Sequence, residues 1–234
     1  MLILGIESSA VSAGAALIKD GKLISESYLN VGLTHSETLL EVIDTCLKNA
    51  GLTVNDVDAF AVSRGPGSFT GIRIGVAAVK GLCFGTDKPV YGVSTLEAMA
   101  WGAALDAYLI CPVMDARCMQ VYSALFSCEN GNLSRLLPDS PRKLDELYAE
   151  LKGFSGTVLF IGDGADLAAK YFSDKPDVKY RVFPEIFKFQ RACGVAFAAN
   201  ISYNNGDKGE NASALTPSYL RLSQAEREKQ RRST

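Results

Sequence analysis

The chain holds a single histidine, His35, and its six cysteines form no C-x-x-C pair. A cysteine-built zinc site is therefore not expected, and a histidine pair at helical spacing is excluded, since Thr38 and Leu39 occupy the positions three and four beyond His35. With no second histidine and no G-x-S-x-G elbow, a Ser-His-Asp set cannot be assembled convincingly. No window approaches the roughly eighteen apolar residues of a membrane span. The opening "MLILGIESSA" is too short an apolar run for a secretory signal and is broken by Glu7, so reduced thiols in a cytoplasmic setting are expected. Charge of one sign is also lacking: 24 Lys and Arg against 26 Asp and Glu give a net charge of -2, a poor basis for gripping nucleic acid alone.

What is present is an ordinary globular composition, 47% hydrophobic and 21% charged over 234 residues, enough for one large domain or two small ones. The first hundred residues are clearly punctuated. Strands are predicted at 2–7, 13–19 and 23–29, with Asp20-Gly21 supplying the positive φ of a hairpin turn. "THSETLLEVIDTCLKNAG" reads as a helix with a capping box from Thr34 to Glu37 and Gly51 as its stop. Its apolar face is read as Leu39, Leu40, Ile43, Cys46 and Leu47. A strand at 58–63, a helix at 68–85 and a strand at 89–94 follow.

The second half begins again. Strands at 108–116 and 119–126, a second Asx-Gly turn in "ENGN", a charged helix near 142–152, a strand at 157–162 and a helix near 164–172 repeat the order. Each half carries a carboxylate, Glu7 or Asp115, at the end of its first strand. An internal repeat of two α/β lobes is the reading, with lobes at 1–100 and 101–222 and a polar tail at 223–234. Glu7 and Asp115 could face one cleft and order magnesium or a water; partnering their own loops is at least as good a reading.

Residues 64–75, "RGPGSFTGIRIG", imitate a phosphate loop. No lysine follows Gly71, position 70 of the near-fit to G-x-G-x-x-G is Thr, and Pro66 removes an amide donor, so a tight turn and a helix capped by Ser68 or Thr70 is preferred. In that helix Gly71, Gly75 and Ala78 share one face, with Arg73 and Lys80 flanking it. A helical glycine costs about 1 kcal/mol relative to alanine, so two of them imply that another backbone comes close, from the same fold or from another chain.

"GIESSAVSAGAAL", "THSETLLEVID", "RGPGSFTGIRIGVAAVKGLCFG", "VYGVSTLEAMA", "DARCMQVYSALF" and "TPSYLR" closely resemble the bacterial TsaB (YeaZ-like) family, strongly to about residue 127 and more loosely beyond. Ser63 stands where many members carry glycine. The resemblance implies an α/β actin-like ATPase fold of two similar βββαβα lobes. It implies a non-catalytic subunit in forming threonylcarbamoyladenosine at position 37 of tRNAs that read codons beginning with A. Transfer would be carried out by a catalytic paralogue, TsaD, with a small ATPase, TsaE, as a further partner; tRNA would be met only through the complex. The paralogue's metal-binding H-x-x-x-H falls here on Thr95 and Met99, neither a strong metal ligand, so no metal is expected.

Actin-like ATPases usually place Asp near the phosphates, where this chain has Glu7 followed by Ser8 and Ser9. These three are the candidate nucleotide contacts, in a setting that disfavours turnover; no cofactor is required, and ATP or ADP would sit at the interface of the complex. The family resemblance places that interface on the helices near 35–50 and 68–85, and the small-residue face suits close helix contact. The candidates are Thr38, Val42, Phe69, Ile72, Arg73, Gly75 and Val76, with a homodimer on the same face when the paralogue is absent. The competing readings are an enzyme, either an M22-type glycoprotease or an ATP-dependent kinase-like protein, and a tRNA-binding module.

Overall fold

The computed structural model describes residues 1–104 and 108–221; the polar tail read at 223–234 lies outside the described residues. Two five-stranded mixed sheets form, each from one half of the chain. In the first, β1 (Leu2–Glu7), β2 (Ala13–Lys19) and β3 (Lys22–Leu29) make an antiparallel meander, and β4 (Ala59–Gly65) and β5 (Val90–Ser94) add in parallel, in the order β3-β2-β1-β4-β5. In the second, β6 (Tyr108–Asp115), β7 (Gln120–Glu129), β8 (Asn132–Lys143), β9 (Thr157–Ile161) and β10 (Lys179–Val182) repeat that plan in the order β10-β9-β6-β7-β8. Both Asx-Gly turns form as read: Asp20 and Gly21 have φ of 49° and 81°, Asn130 and Gly131 of 52° and 74°. Such paired left-handed residues match the twist of a tight hairpin.

Helices α1 (His35–Asn49) and α2 (Phe69–Leu82) cover one face of the first sheet; α4 (Leu144–Leu151) and α5 (Ala165–Phe172) cover the equivalent face of the second. Every residue of β1 is buried because helices lie on both faces, which explains why "LILGIE" reads as a continuous apolar run. The capping box expected at Thr34 and Glu37 does not close. The Thr34 hydroxyl donates to the Glu37 carboxylate (2.8 Å) and caps no backbone amide. The Ser68 cap does form: its Oγ accepts from Gly71 N (3.2 Å).

The third helix of each half sits between the sheets and is exchanged. α3 (Thr95–Gly102) packs Leu96, Met99 and Ala100 against Ile110, Phe126 and Leu159 of the second sheet. α6 (Ala192–Asn204) returns to the first sheet, packing Val195, Ala196 and Ala199 on Ile3, Ala61 and Tyr91. A Cβ at Gly194 would lie 2.2 Å from the Ala98 carbonyl oxygen, so the two central helices cross in near contact. Glu26 of β3 anchors α6 by accepting from Arg191 Nη2 (2.5 Å) and Cys193 N (3.3 Å). The lobe boundary read at residue 100 falls within α3, and α6, although late in the chain, packs on the first sheet. The reason is tertiary: an apolar helix packs wherever the chain can reach an uncovered sheet face.

Candidate functional site

β1 and β4 lie side by side in parallel, so their C-terminal ends bring Glu7 and Ser63 together at the edge of the space between the lobes. Glu7 is nevertheless 1% exposed and turned inward. Its Oε1 accepts from Ser9 N (2.6 Å) and its Oε2 from the Ser63 hydroxyl. Burial raises its pKa above 4.5, opposed by hydrogen bonds from Ser63 and Ser9 and by the nearby His35. Ser8 is likewise spent internally, donating to the Gly71 carbonyl (2.9 Å). Of the three candidate nucleotide contacts, only Ser9 lines the cleft; its hydroxyl is buried without a partner. Glu7 and Ser8 thus brace the β1–β2 turn and do not line the cleft.

The glycines of "RGPGSFTGIRIG" serve the same turn. A Cβ at Gly67 would stand 2.2 Å from the Ser9 carbonyl oxygen, one at Gly71 2.1 Å from that of Ser8, and one at Gly75 2.4 Å from Ser8 Oγ. Ser68 N donates to that Ser9 oxygen at 2.6 Å. His35 closes the assembly from α1, its Nε2 lying 2.7 Å from the Ala10 oxygen. The small-residue face therefore admits the chain's own backbone and not a helix of another chain.

The cleft measures about 590 Å³. The first lobe contributes Ser9, Val11, Gly67, Ser68 and Thr70, and the second contributes Met114, Asp115, Arg117, Tyr122 and Asp163. Asp115 is present as expected, with Oδ1 accepting from Arg117 N (2.7 Å), but the second carboxylate is Asp163 and not Glu7. Burial raises the pKa of Asp163, partly offset by the Gln190 amide that donates to it (2.8 Å), while Asp115 adds to the rise. The sequence signal for Asp163 was its place after β9 in "FIGDG", a strand-end carboxylate like the other two.

Thr95 and Met99, at the positions of the paralogue's metal ligands, are both buried in α3. Among the described residues no three His, Cys, Asp or Glu side chains converge as metal ligands would.

The interface candidates divide by burial. Thr38, Val42, Ile72, Gly75 and Val76 face the first lobe's own core, where their apolar spacing directs them. Phe69 is half-buried and Arg73 exposed, with the Arg73 guanidinium 3.8 Å over the Phe69 ring. The outer surface comprises Leu33, Leu40 (62% exposed), Thr70, Ala77, Gly81 and Phe84 (89% exposed), none of them among the interface candidates. Leu40, read as part of the apolar face of α1, instead points outward beside Glu41.

The family described as "TsaD: tRNA N6-adenosine threonylcarbamoyltransferase" matches residues 30–229. The Bacillus subtilis "tRNA threonylcarbamoyladenosine biosynthesis protein TsaB" is 31% identical, covering 97% of this chain and 96% of its own length. The chain belongs to the TsaB (YeaZ-like) family. A Nitratidesulfovibrio vulgaris protein named for the TsaD transferase is 30% identical, and the match covers 64% of this chain but 45% of that protein. A solved Pseudomonas aeruginosa structure, an uncharacterized protein with similarity to peptidase YeaZ, superposes with TM-score 0.80 at 25% identity, covering 94% of this chain and 99% of that one. The two-lobed α/β arrangement is that of this solved YeaZ-like structure. Among the described residues, no helix is long and apolar enough to cross a membrane.

Proposed function

We propose that this chain is a non-catalytic scaffold subunit in tRNA threonylcarbamoyladenosine biosynthesis. It acts by pairing with the catalytic paralogue TsaD to modify position 37 of tRNAs that read codons beginning with A. One observation carries the reading: Glu7, the carboxylate that should serve a ligand, has both oxygens committed to the chain's own Ser9 and Ser63. The similarity to TsaB- and TsaD-named proteins supports the pathway and the kinship with the partner.

Pairing is assigned to the outer face of α1 and α2, where Leu33, Leu40, Ala77, Gly81 and Phe84 offer apolar and small side chains around Arg73. Without the paralogue, the same face forms a homodimer. TsaE joins the pair, and tRNA is held by the assembly, in keeping with the charge of -2 on this chain. No cofactor is needed by this chain itself; ATP or ADP, where used, belongs at the boundary between subunits.

Reconstitution of the tRNA modification with and without this chain tests the proposal, with activity expected only when it is present. Full modification in its absence would overturn it. ATP turnover or peptidase activity by the purified chain, lost in Glu7→Ala, would instead establish the kinase-like or glycoprotease-like alternative.

A further inference from the structure

After α6 the chain runs back over the first lobe as a strap. Glu210 exchanges two hydrogen bonds with Val90 (2.8 and 2.9 Å), Lys80 Nζ donates to the Ser213 carbonyl (3.2 Å), and Leu215 is fully buried in the core beneath α2. Ser218 N donates to the Arg64 carbonyl at 2.7 Å. Tyr219 stacks on Phe69 with ring centroids 4.5 Å apart, and its hydroxyl accepts from Arg73 Nε at 2.7 Å. All of these attachments are to the first lobe. Two residues later the strap crosses: Arg221 Nη1 donates to the Ala116 carbonyl of the second lobe, at 3.0 Å.

The turn that Arg221 grips is unusual. Arg117, Cys118 and Met119 have φ of 62°, 55° and 56°, three consecutive side-chain-bearing residues in a region such residues avoid. The turn is closed by Ala116 N to Gln120 O (3.0 Å) and Gln120 N to Arg117 O (3.2 Å), and it presents Asp115 and Arg117 to the cleft. A conformation of this kind persists only while its surroundings hold it.

We propose that Tyr219 to Arg221 form a latch that couples the outer face of α2 to the cleft between the lobes. Arg73 fixes the Tyr219 ring by a hydrogen bond and by lying over Phe69, and only Leu220 separates that ring from Arg221. When Arg73 is drawn away, Tyr219 keeps only its stacking on Phe69, its ring is freed to shift, Arg221 leaves Ala116, and the strained turn relaxes. Phe69, Tyr219 and Arg221 themselves line the cleft, so a protein that takes hold of Arg73 would alter the cleft from its rim. The coupling has identified sites at both ends and a defined contact chain between them. Its use by a partner rests on the docking face proposed above, whereas the latch itself does not.

Hydrogen exchange over residues 115–121 in the whole chain tests this, because the amides of Ala116 and Gln120 are hydrogen-bonded in the latched turn. Arg221→Ala and Arg73→Ala should each speed exchange there by about tenfold, the scale of losing one hydrogen bond to a charged group. Their combination should add little, and Arg73→Lys should restore part of the protection. Peptides from β1 and β4 should be unchanged, which reports an intact fold. If Arg73→Ala unfolds the chain, Tyr219→Phe removes only the accepting hydroxyl and should give about a twofold to threefold rise.

Faster exchange in Arg221→Ala but not in the α2-face variants would refute the coupling. No change in either would refute the latch. Adding the paralogue separates the two proposals: absence of pairing overturns the proposed function, while pairing without faster exchange at 116–120 overturns the coupling.

Discussion

Gly71 and Gly81 lie in the same helix, and alanine at the two positions should move stability in opposite directions. At Gly71 a Cβ would stand 2.1 Å from the Ser8 carbonyl oxygen and 3.0 Å from His35 Cδ2, so the β1–β2 turn must retreat. Retreat breaks the Ser8 Oγ–Gly71 O and Ser68 N–Ser9 O hydrogen bonds, at about 1 kcal/mol each, and adds overpacking of about 1–3 kcal/mol. Alanine's better helix propensity returns about 1 kcal/mol, leaving a net loss of about 2–4 kcal/mol. At Gly81 nothing lies within 4 Å of the added carbon, so the propensity gain of about 0.5–1 kcal/mol stands alone. Urea unfolding of Gly71→Ala, Gly81→Ala and the parent chain measures both signs. A Gly71→Ala protein as stable as the parent would refute the claim that these glycines exist to admit the Ser8 backbone.

Glu7→Gln should still accept from Ser9 N, with its amide donating to the Ser63 hydroxyl in place of the bond the carboxylate accepted, and should abolish a pH dependence. The unfolded carboxyl loses its proton near pH 4.5 while the buried one keeps it to higher pH, so the stability that Glu7 contributes is full below 4.5 and is lost as pH rises through the raised value. The difference between parent and Glu7→Gln urea midpoints should therefore grow in favour of Gln above pH 4.5, and a constant difference would contradict the burial argument. Cys118 is the exposed thiol, whereas Cys46, Cys83, Cys111 and Cys128 are buried, with burial pushing Cys111 up to about 12 and Cys83 up to about 11. A colorimetric thiol reagent should find one fast-reacting group per native chain, absent in Cys118→Ser. Leu40→Glu and Ala77→Arg, both on the outer face, should leave thermal unfolding within about 0.5 kcal/mol of the parent yet prevent co-elution with the paralogue. Gly75→Leu does not serve for that test, since its side chain would meet Ser8 Oγ and Val62 inside the lobe.

Local chemistry made much of this protein legible. Asx-Gly turns, runs of buried strand residues and helical periodicity are short-range signals, and they place β1 to β3, α1, β4, α2 and β5 within a few residues of their true ends. The repeat followed, because the second half spells the same order with a comparable turn. β8 is not delimited by the sequence, since Pro138 and Pro141 obscure an edge strand that tolerates them. α6 was missed because alanine-rich "ACGVAFAANISYN" is buried on most sides and shows little amphipathic contrast.

By itself, then, the sequence determined the two-lobe α/β plan, the kinship with the TsaB family, and the want of histidine and cysteine ligand sets. Only the tertiary structure decided which way each residue faces. It turned Glu7 into its own lobe, brought Asp163 beside Asp115, exchanged α3 and α6 between the sheets, and put Leu40 outside and Ile72 inside. The physical reason is that the spacing of apolar residues sets which face of a helix is sticky. Which backbone arrives to cover that face is settled only when distant parts of the chain compete for it.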